Sequence, residues 1–379
     1  MLTYYAPDEA GFYPERLARA TALLDDAANR GAVPGATLLV GRGCKPVAPH
    51  VCGRRYLRPD SPPIDPQTIF LVASVTKPVT AAAVMLLVER GQVLLSDRVA
   101  DYLPEFGNRG KEAVRIRHLL THTSGLPDML PDNMELRRRH APLAEFVRRI
   151  CDVDLDFPPG SHVQYQSAGL AMVAALVERL TGQTLPEFLR QEFFCPLRMH
   201  DTGLGSQGLD ESRIAHVNVP PEMADADWSW NRRYWRELGA PWGGLFTTVS
   251  DYYRFMQLFL NCGEFDRTSI LGPATVCEMT RDQITDLVPL SPEERRRQLW
   301  GRVWGLGWCM AGRRAPDGGP TSFGDLLSPA AFGHSGATGT VVWADPERDV
   351  TCIFFTTEPE AARNGLLGRV SNLVAAAAR

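Results

Sequence analysis

The spacing of hydrophobic residues changes twice along the chain, and it predicts strands near both ends with helices between them. Residues 14–31 carry apolar side chains at helical spacing and end at Gly31, which predicts an amphipathic helix. The segment 35–43 is short, β-rich and bounded by glycines, so it predicts a strand that continues as a meander through 51–56. The intervening 57–66 segment is rich in proline and aspartate and is typical of a loop.

From residue 74 to about residue 290 the spacing is mainly helical, with glycine and proline separating the apolar segments. The clearest helices are predicted over 77–91, 143–151, 167–182, 185–195 and 250–261. Strand-like patterns return in 302–312, 339–349 and 350–357, with a hairpin turn at 345–349 and a final helix over 361–379. The polar, proline-broken 282–298 segment is a candidate crossover between the two patterns.

This order predicts an α/β (α+β) fold made of a sheet domain and a helical insertion domain. Residues 1–73 and 292–379 are expected to form one antiparallel sheet flanked by the first and last helices. Residues 74–291 are expected to form a mainly helical insertion.

Composition and charge narrow the function classes. The formal net charge is -4 in 379 residues, so electrostatics favour neither nucleic acid nor an anionic membrane as a partner. The N-terminus lacks the pattern of a secretory signal, and the apolar run 79–88 is too short to span a bilayer, so we expect a cytoplasmic protein. The eight cysteines form no C-x-x-C pair and no zinc-ligand spacing, which predicts free, mostly buried thiols, no metal and no cofactor.

The strongest chemical signal is the sequence F-L-V-A-S-V-T-K-P over 70–78, in which a short apolar strand leads through Ser74 into a helix. A helix N-terminus favours developing negative charge, and residues three apart share a helix face, so Lys77 can reach the Ser74 hydroxyl. An amine held away from water has a lowered pKa and can accept the serine proton. The alternative interpretation is a helix-capping serine beside a solvated lysine.

The scarcity of lysine strengthens the first interpretation. Only Lys45, Lys77 and Lys111 are lysines, and the remaining basic residues are arginines. An arginine stays protonated, whereas a buried lysine can give up its proton. A lysine three residues after a serine at a strand-to-helix junction is therefore a candidate general base.

Two further segments carry candidate site residues. Tyr165 and Ser167 precede a strongly apolar helix, and a tyrosine hydroxyl near the nucleophile could relay a proton, although a lone tyrosine more often packs in a core. The segment 332–343, F-G-H-S-G-A-T-G-T-V-V-W, places small residues before an apolar strand. Glycines there let a substrate approach the backbone, or they form a tight turn.

Together these segments resemble the three motifs of the serine β-lactamase and penicillin-binding-protein superfamily, in which S-x-x-K is the first. The class C-like branch, with its β-lactamase-fold esterases and transesterases, is the most similar. Four framework segments share the likeness: RHLLTHTSGLPD (117–128), LPEFLRQEFFCPLRMHDTGL (185–204), APWGGLFTTVSDYYRFMQLFL (240–260) and FGHSGATGTVVWADPERDV (332–350). The resemblance spans about residues 10 to 360 and implies a β-lactamase/transpeptidase-like fold with its active site between sheet and insertion.

The resemblance also implies roles for individual residues. Ser74 would be the acylated nucleophile, Lys77 the general base and Tyr165 the proton relay, with the backbone N–H groups of Ser74 and Ala337 as oxyanion hole. Substrate would lie against the third motif and the second, at the residues Ser167, His334, Ser335 and Gly336.

Two positions depart from the pattern of family members that act on β-lactams or peptides. Those members usually carry asparagine where this chain has Ser167 and lysine where it has His334. A histidine binds a carboxylate less firmly than a lysine does, so the departures favour esters.

The segment 217–242 is rich in aromatic residues and, by its position in the family, lies near the cleft mouth. An acyl or aromatic pocket could be lined by Trp228, Trp230, Tyr234 and Trp235. The same residues could instead pack the insertion against the sheet or shield a dimer contact.

Three other motifs carry little weight. Gly333–Ala337 nearly matches the G-x-S-x-G elbow, but no histidine follows to complete that triad. Gly203–Gly208 matches G-x-G-x-x-G without a preceding strand or a following helix. His118 and His122 lack the glutamate and third ligand of a zinc site, so we expect structural histidines.

The sequence therefore predicts a serine hydrolase with a small-molecule ester or amide substrate, most simply a carboxylesterase. An acyltransferase or transesterase using the same acyl-enzyme, a β-lactamase or D-amino-acid peptidase, and a non-catalytic binding module remain open, since a fold alone does not separate them. The natural substrate, the stereopreference and the oligomeric state are not readable from the sequence.

Overall fold

Strands from both ends of the chain pair in one antiparallel sheet in the computed structural model, which describes residues 2–58, 60–285, 291, 293, 303–311 and 321–379. The strands are β1 (Gly35–Arg42), β2 (Lys45–Pro46), β3 (His50–Gly53), β4 (Phe70–Leu71), β5 (Gly203–Leu204), β6 (Leu245–Thr247), β7 (Glu264–Phe265), β8 (Thr268–Ser269), β9 (Phe332–Gly336), β10 (Thr340–Asp345) and β11 (Val350–Thr356). The main sheet has the order β2-β1-β11-β10-β9, and β3 also pairs with β1.

Most helices lie between the two groups of strands. The α-helices are α1 (Pro14–Asn29), α2 (Thr76–Glu89), α3 (Ile116–Leu120), α4 (Asn133–Arg138), α5 (Leu143–Asp152), α6 (Ala168–Thr181), α7 (Leu185–Leu189), α8 (Pro221–Ala224), α9 (Arg233–Leu238), α10 (Val249–Leu260), α11 (Pro273–Thr280), α12 (Glu360–Arg363) and α13 (Leu366–Ala377). Short 3₁₀ turns occur at Ala73–Val75, Val99–Asp101, Pro104–Phe106, Lys111–Ala113 and Glu211–Arg213, and a π-helical turn at Arg190–Phe194. The predicted α+β fold is confirmed.

Both faces of the main sheet are covered, because successive side chains on its central strands pack into two different cores. Leu38 of β1 and Phe354 of β11 belong to the core beneath α1 and α13. Their neighbours Leu39 and Phe355 point the other way, into the core shared with the helical part. Because side chains on a strand alternate between faces, a strand buried on both faces has a nearly continuous hydrophobic sequence.

Helix α2 runs through the middle of the helical part and packs against α6. Every residue from Thr76 to Leu87 is buried, including one lysine. A helix that is buried all round has no polar face, which explains why its sequence shows a continuous apolar run rather than an amphipathic period.

Several predictions need correction. The described part of the predicted 302–312 strand, 303–311, forms only isolated bridges, from Trp304 to Cys309 and from Cys309 to Gly333. The predicted 185–195 helix becomes α7 followed by a π-helical turn, and the final helix divides into α12 and α13 at Asn364–Gly365, where Gly365 takes a positive φ of 75°. Most of the predicted crossover over 282–298 lies outside the described residues.

The cysteines are free, as predicted, but they are not mostly buried. Cys44, Cys195, Cys262 and Cys277 are exposed. Among the described helices, none is long and apolar enough to cross a bilayer.

The central strand β11 provides a test of the two-faced core. Replacing Phe354, which is fully buried, with alanine removes packing beneath α1 and α13, and we expect the free energy of unfolding to fall by about 3–5 kcal/mol. The matched control is Leu94→Ala, because Leu94 is 60% exposed and its truncation should change stability by less than about 0.5 kcal/mol. Urea unfolding followed by circular dichroism measures both, and equal effects of the two variants would contradict the assigned core.

Candidate active site

Ser74 lies in the 3₁₀ turn that joins strand β4 to helix α2, and it is partly exposed. The preceding residue, Ala73, has a φ of 46°, in the left-handed region that a residue with a Cβ rarely adopts. Such strain persists only where the surroundings hold it. Here the Thr76 hydroxyl donates to the Ala73 carbonyl at 2.6 Å, and the Tyr252 hydroxyl donates to the Val75 carbonyl at 2.9 Å.

Lys77 follows one turn later and is buried. Its Nζ lies 3.1 Å from Ser74 Oγ and donates to the carbonyl of Trp242 at 3.0 Å. The Thr80 hydroxyl donates to the Pro241 carbonyl at 2.7 Å, so two residues of α2 hold the 241–242 segment against the helix. The amine therefore has a fixed position beside the serine hydroxyl.

The surroundings of the amine change its proton affinity. Burial lowers the pKa of Lys77 to about 7, because an ammonium loses its hydration in the interior, while the Asp128 carboxylate raises it in part. A substantial fraction of the amine is then unprotonated near neutral pH. The alternative of a solvated lysine is excluded by its burial.

Tyr165 lies on the other side of the amine, with its ring centroid 4.6 Å from Lys77 Nζ. The ring packs against three others, at centroid distances of 4.8 Å to His122, 5.6 Å to Trp304 and 6.2 Å to His334. Ser74 and Tyr165 lie 91 residues apart along the chain. The fold brings both of them next to Lys77.

A buried amide holds the segment that carries Tyr165. The backbone N–H of Gln166 donates to His122 Nδ1 at 3.1 Å, and its side-chain amide donates to the His118 carbonyl at 3.2 Å. The Ser124 hydroxyl donates to Gln166 Oε1 at 2.5 Å. The 118–124 segment therefore positions the tyrosine. His122 was expected to be structural, and it contacts the candidate site directly.

The third motif, on β9 and the turn after it, lies against the strand that leads into Ser74. The hydroxyls of Thr338 and Thr340 donate to the carbonyls of Leu71 and Val72, at 2.7 and 3.0 Å. A Cβ added to Gly336 would lie 2.2 Å from the Val72 carbonyl oxygen, so glycine is required for this approach.

The remaining residues implied by the family resemblance take these positions. Ala337 is exposed in the β9–β10 turn, and Ser335 is partly buried one residue before Gly336. Ser167 is buried at the N-cap of α6, where its backbone N–H donates to the Asp128 carbonyl at 2.9 Å. His334 is buried, and its Nδ1–H donates to the Ser335 carbonyl at 2.7 Å.

The aromatic segment contacts a different region. The Tyr234 hydroxyl donates to the Ala141 carbonyl at 2.8 Å and its ring stacks on His140, with centroids 4.6 Å apart. Trp235 is buried beneath the Arg137 guanidinium, 4.3 Å from the ring centroid. Trp228 and Trp230 are partly buried, and Trp230 packs against the larger core. Packing accounts for Tyr234 and Trp235, and a role of this segment in binding substrate stays a prediction.

Three contributors to the site were missed in the sequence. They are the Trp242 carbonyl, the indole of Trp304 and the carboxylate of Asp128. A carbonyl carries no residue-type signal. Asp128 ends the 117–128 framework segment and Trp304 lies in the predicted 302–312 strand, but neither position suggested a role for its side chain. Only the folded chain brings them to Lys77 and Tyr165.

Comparison with known proteins adds independent findings. A family model described as Beta-lactamase matches residues 20–376. Penicillin-binding protein 4 of Amycolatopsis lactamdurans is 31% identical over 284 residues, covering 72% of this chain and 67% of that protein.

Two solved structures are similar in fold. A family VIII carboxylesterase is 22% identical with a TM-score of 0.75, covering 98% of each chain. EstCE1, a hydrolase with promiscuous acyltransferase activity, is 20% identical with a TM-score of 0.76, covering 96% of this chain and 98% of that one.

The lowered pKa of Lys77 is directly measurable because the chain has only three lysines. In protein carrying ¹³C-labelled lysine, we expect one side-chain Cε signal to titrate near pH 7 and to disappear in Lys77→Met. Lys45→Met is the control and should remove a different signal, since Lys45 is exposed. Titration of all three signals only above about pH 10, the ordinary range of lysine, would contradict the buried amine.

Proposed function

The chain belongs to the beta-lactamase family, and we propose that it is a serine hydrolase that cleaves small carboxylic esters through an acyl-enzyme on Ser74. The observation that carries the proposal is the 3.1 Å separation between Ser74 Oγ and the buried Nζ of Lys77. A serine hydroxyl needs a neighbouring base to become a good nucleophile, and an amine with a pKa near 7 matches that need at neutral pH.

In the first step, Ser74 Oγ forms a bond to the ester carbonyl carbon and its proton passes to Lys77 Nζ. Negative charge develops on the carbonyl oxygen. The backbone N–H groups of Ser74 and Ala337 are the proposed donors to that oxygen. The contacts of Thr338 and Thr340 with the 71–72 carbonyls support this role, because they hold the two backbone segments side by side.

In the second step, the bond between the carbonyl carbon and the alcohol oxygen breaks. The Tyr165 hydroxyl gives its proton to the leaving alcohol and regains one from the Lys77 ammonium, so the relay is neutral overall. Water then attacks the acyl carbon and its proton passes to Lys77 Nζ. The bond from that carbon to Ser74 Oγ breaks, Oγ regains the proton from the Lys77 ammonium, and the carboxylic acid is released. Lys77 Nζ lies 4.6 Å from the Tyr165 ring centroid, so the two side chains that would exchange the proton are neighbours.

The choice of ester over β-lactam or peptide rests on two positions. Ser167 provides no side-chain amide and His334 provides no ammonium, the two groups that usually hold the amide and carboxylate of those substrates in the family. His334 Nδ1 is already engaged with the Ser335 carbonyl. Esters need neither group, so they are the favoured substrates. The half-buried Trp228 and Trp230 are proposed to line the acyl side.

Acyl transfer is the second candidate. EstCE1, which has this fold, is a hydrolase with promiscuous acyltransferase activity. The same acyl-enzyme would give an ester or amide product if an alcohol or amine replaced water. Product analysis with and without an added alcohol acceptor separates the two outcomes.

Ser74→Ala should abolish turnover of short p-nitrophenyl esters and labelling by a fluorophosphonate, since it removes the hydroxyl proposed to form the acyl-enzyme. Ser269→Ala, at an exposed position in β8, is the control and should keep both. The wild type should hydrolyse the esters much faster than a cephalosporin. Ester turnover that survives in Ser74→Ala would disprove the nucleophile, and a faster cephalosporin would disprove the ester preference.

The pH dependence of acylation follows from Lys77. Its lowered pKa leaves the amine neutral above about pH 7 and protonated below it, so kcat/KM should fall about tenfold per pH unit below that value. Lys77→Met should lose activity over the whole range, whereas Lys45→Met should keep the wild-type profile. Stopped-flow acylation at buffered pH values measures this, and a flat profile from about pH 5 to about pH 8 would exclude Lys77 as the base.

A further inference from the structure

A second cluster of reactive side chains lies where helix α1 packs against the edge strand β3. Asp25 is on α1, and His50 and Cys52 are on β3. A carboxylate oxygen, an imidazole nitrogen and the thiol sulfur all lie within 4.8 Å of one another. Among the described residues, this is the one group of three or more such side chains that is close enough to share an ion.

We propose that Asp25, His50 and Cys52 bind a divalent cation of borderline softness, of the Zn²⁺ class. The choice of metal follows from the chemical types of the three ligands. Thiolate and imidazole favour Zn²⁺ and its neighbours, whereas Mg²⁺ and Ca²⁺ prefer oxygen ligands alone. One carboxylate, one imidazole and one thiolate give three protein ligands, which leaves a fourth tetrahedral position for water.

The geometry of the strand supports convergence of these side chains. His50 and Cys52 are two residues apart, so they point to the same face of β3, and they pair opposite Leu38 and Ala36 of β1. Helix α1 covers that face. His50 Nε2 already lies 2.9 Å from Asp25 Oδ1, and the Cys52 thiol contacts the Leu24 carbonyl at 3.5 Å on the same helix.

Access for an ion is open. Asp25 and Cys52 line a surface groove of about 570 Å³ that also includes Gly31, Val33 and Tyr56. Half of the Asp25 side chain is exposed (49%), and 28% of the His50 side chain is exposed. Metal–ligand bonds of about 2.0–2.3 Å therefore require only small rotations of side chains that have room to move.

Binding is a coordination step without a change in oxidation state. The metal forms bonds to the carboxylate oxygen, the imidazole nitrogen and the thiolate sulfur, and the thiol proton passes to the buffer. The site lies at the opposite edge of the sheet from β9, four strand spacings or about 19 Å across. The cation would thus join α1 to β3 and stabilise the fold without taking part in ester cleavage.

The test uses the purified full-length protein and Co²⁺ as a spectroscopic probe, with Zn²⁺ as competitor. We expect one equivalent of Co²⁺ to give a thiolate-to-metal charge-transfer band and the d–d bands of tetrahedral coordination, both removed by Zn²⁺. Cys52→Ala should abolish the charge-transfer band. His50→Ala and Asp25→Asn should each weaken binding by at least about tenfold.

The chain provides matched controls. The surface pair His140 and Asp227 has a similar geometry, with 3.2 Å between Nε2 and Oδ2, but it is not part of a three-ligand group among the described residues. His140→Ala should bind Co²⁺ as the wild type does, and so should Cys44→Ala, which removes an exposed thiol elsewhere.

A thermal melt provides a second readout in the same variants. Zn²⁺ should raise the melting temperature of the wild type, His140→Ala and Cys44→Ala, and leave that of Cys52→Ala unchanged, while ester turnover stays the same with and without Zn²⁺. The proposal is overturned if the wild type gives no charge-transfer band, or if Cys52→Ala keeps the band.

Discussion

Keeping an amine dry beside a serine hydroxyl is the constraint on which the rest of this structure depends. A lysine in the interior lowers its pKa because the ammonium loses hydration, and that loss is large only where water is excluded on every side. Helix α2 meets the requirement because its residues from Thr76 to Leu87 are all buried, with α6 against one side. The single polar end of Lys77 is directed to Ser74 Oγ and to the Trp242 carbonyl.

The turn that carries the serine is held by four side-chain hydroxyls from three places in the chain. Backbone carbonyls on either side of Ser74 accept these bonds, from Thr338 to Leu71, Thr340 to Val72, Thr76 to Ala73 and Tyr252 to Val75. The Val72 and Ala73 carbonyls also accept backbone N–H bonds, from Val75 and Thr76, so the hydroxyls add a second donor at these two positions. Together they balance the cost of the positive φ at Ala73 and connect the turn to the β9–β10 hairpin and to α10.

The two edges of the main sheet carry two different groups of reactive side chains. At the β9 edge, the third motif contacts the turn that bears the serine, and reactive groups from three segments converge. At the β3 edge, a carboxylate on α1 lies beside an imidazole and a thiol on β3. The buried strands β11 and β10 lie between the edges and supply a rigid frame, since both of their faces are packed.

The sequence by itself determined the fold class, the major helices and the pairing of Ser74 with Lys77. These follow from local rules: apolar spacing distinguishes helix from strand, and residues three apart share a helix face. It did not determine the irregular backbone of 303–311. The residues of this segment favour a strand, but contacts with neighbouring elements leave only isolated bridges at Trp304 and Cys309. The exposure of four cysteines was missed because the accessibility of a side chain depends on tertiary packing and not on cysteine spacing.

Tertiary structure alone decided how completely the Lys77 amine is shielded from water and which groups surround it. The Trp242 carbonyl, the Tyr165 ring and the Asp128 carboxylate are far from Lys77 in the chain, and their positions depend on how helices and loops pack. The cluster of Asp25, His50 and Cys52 is another such case, since it is formed by helix α1 and strand β3, which β1 and β2 separate in the chain. Proton affinity and metal-ligand geometry depend on distances in space, and sequence spacing sets those distances only within a single element.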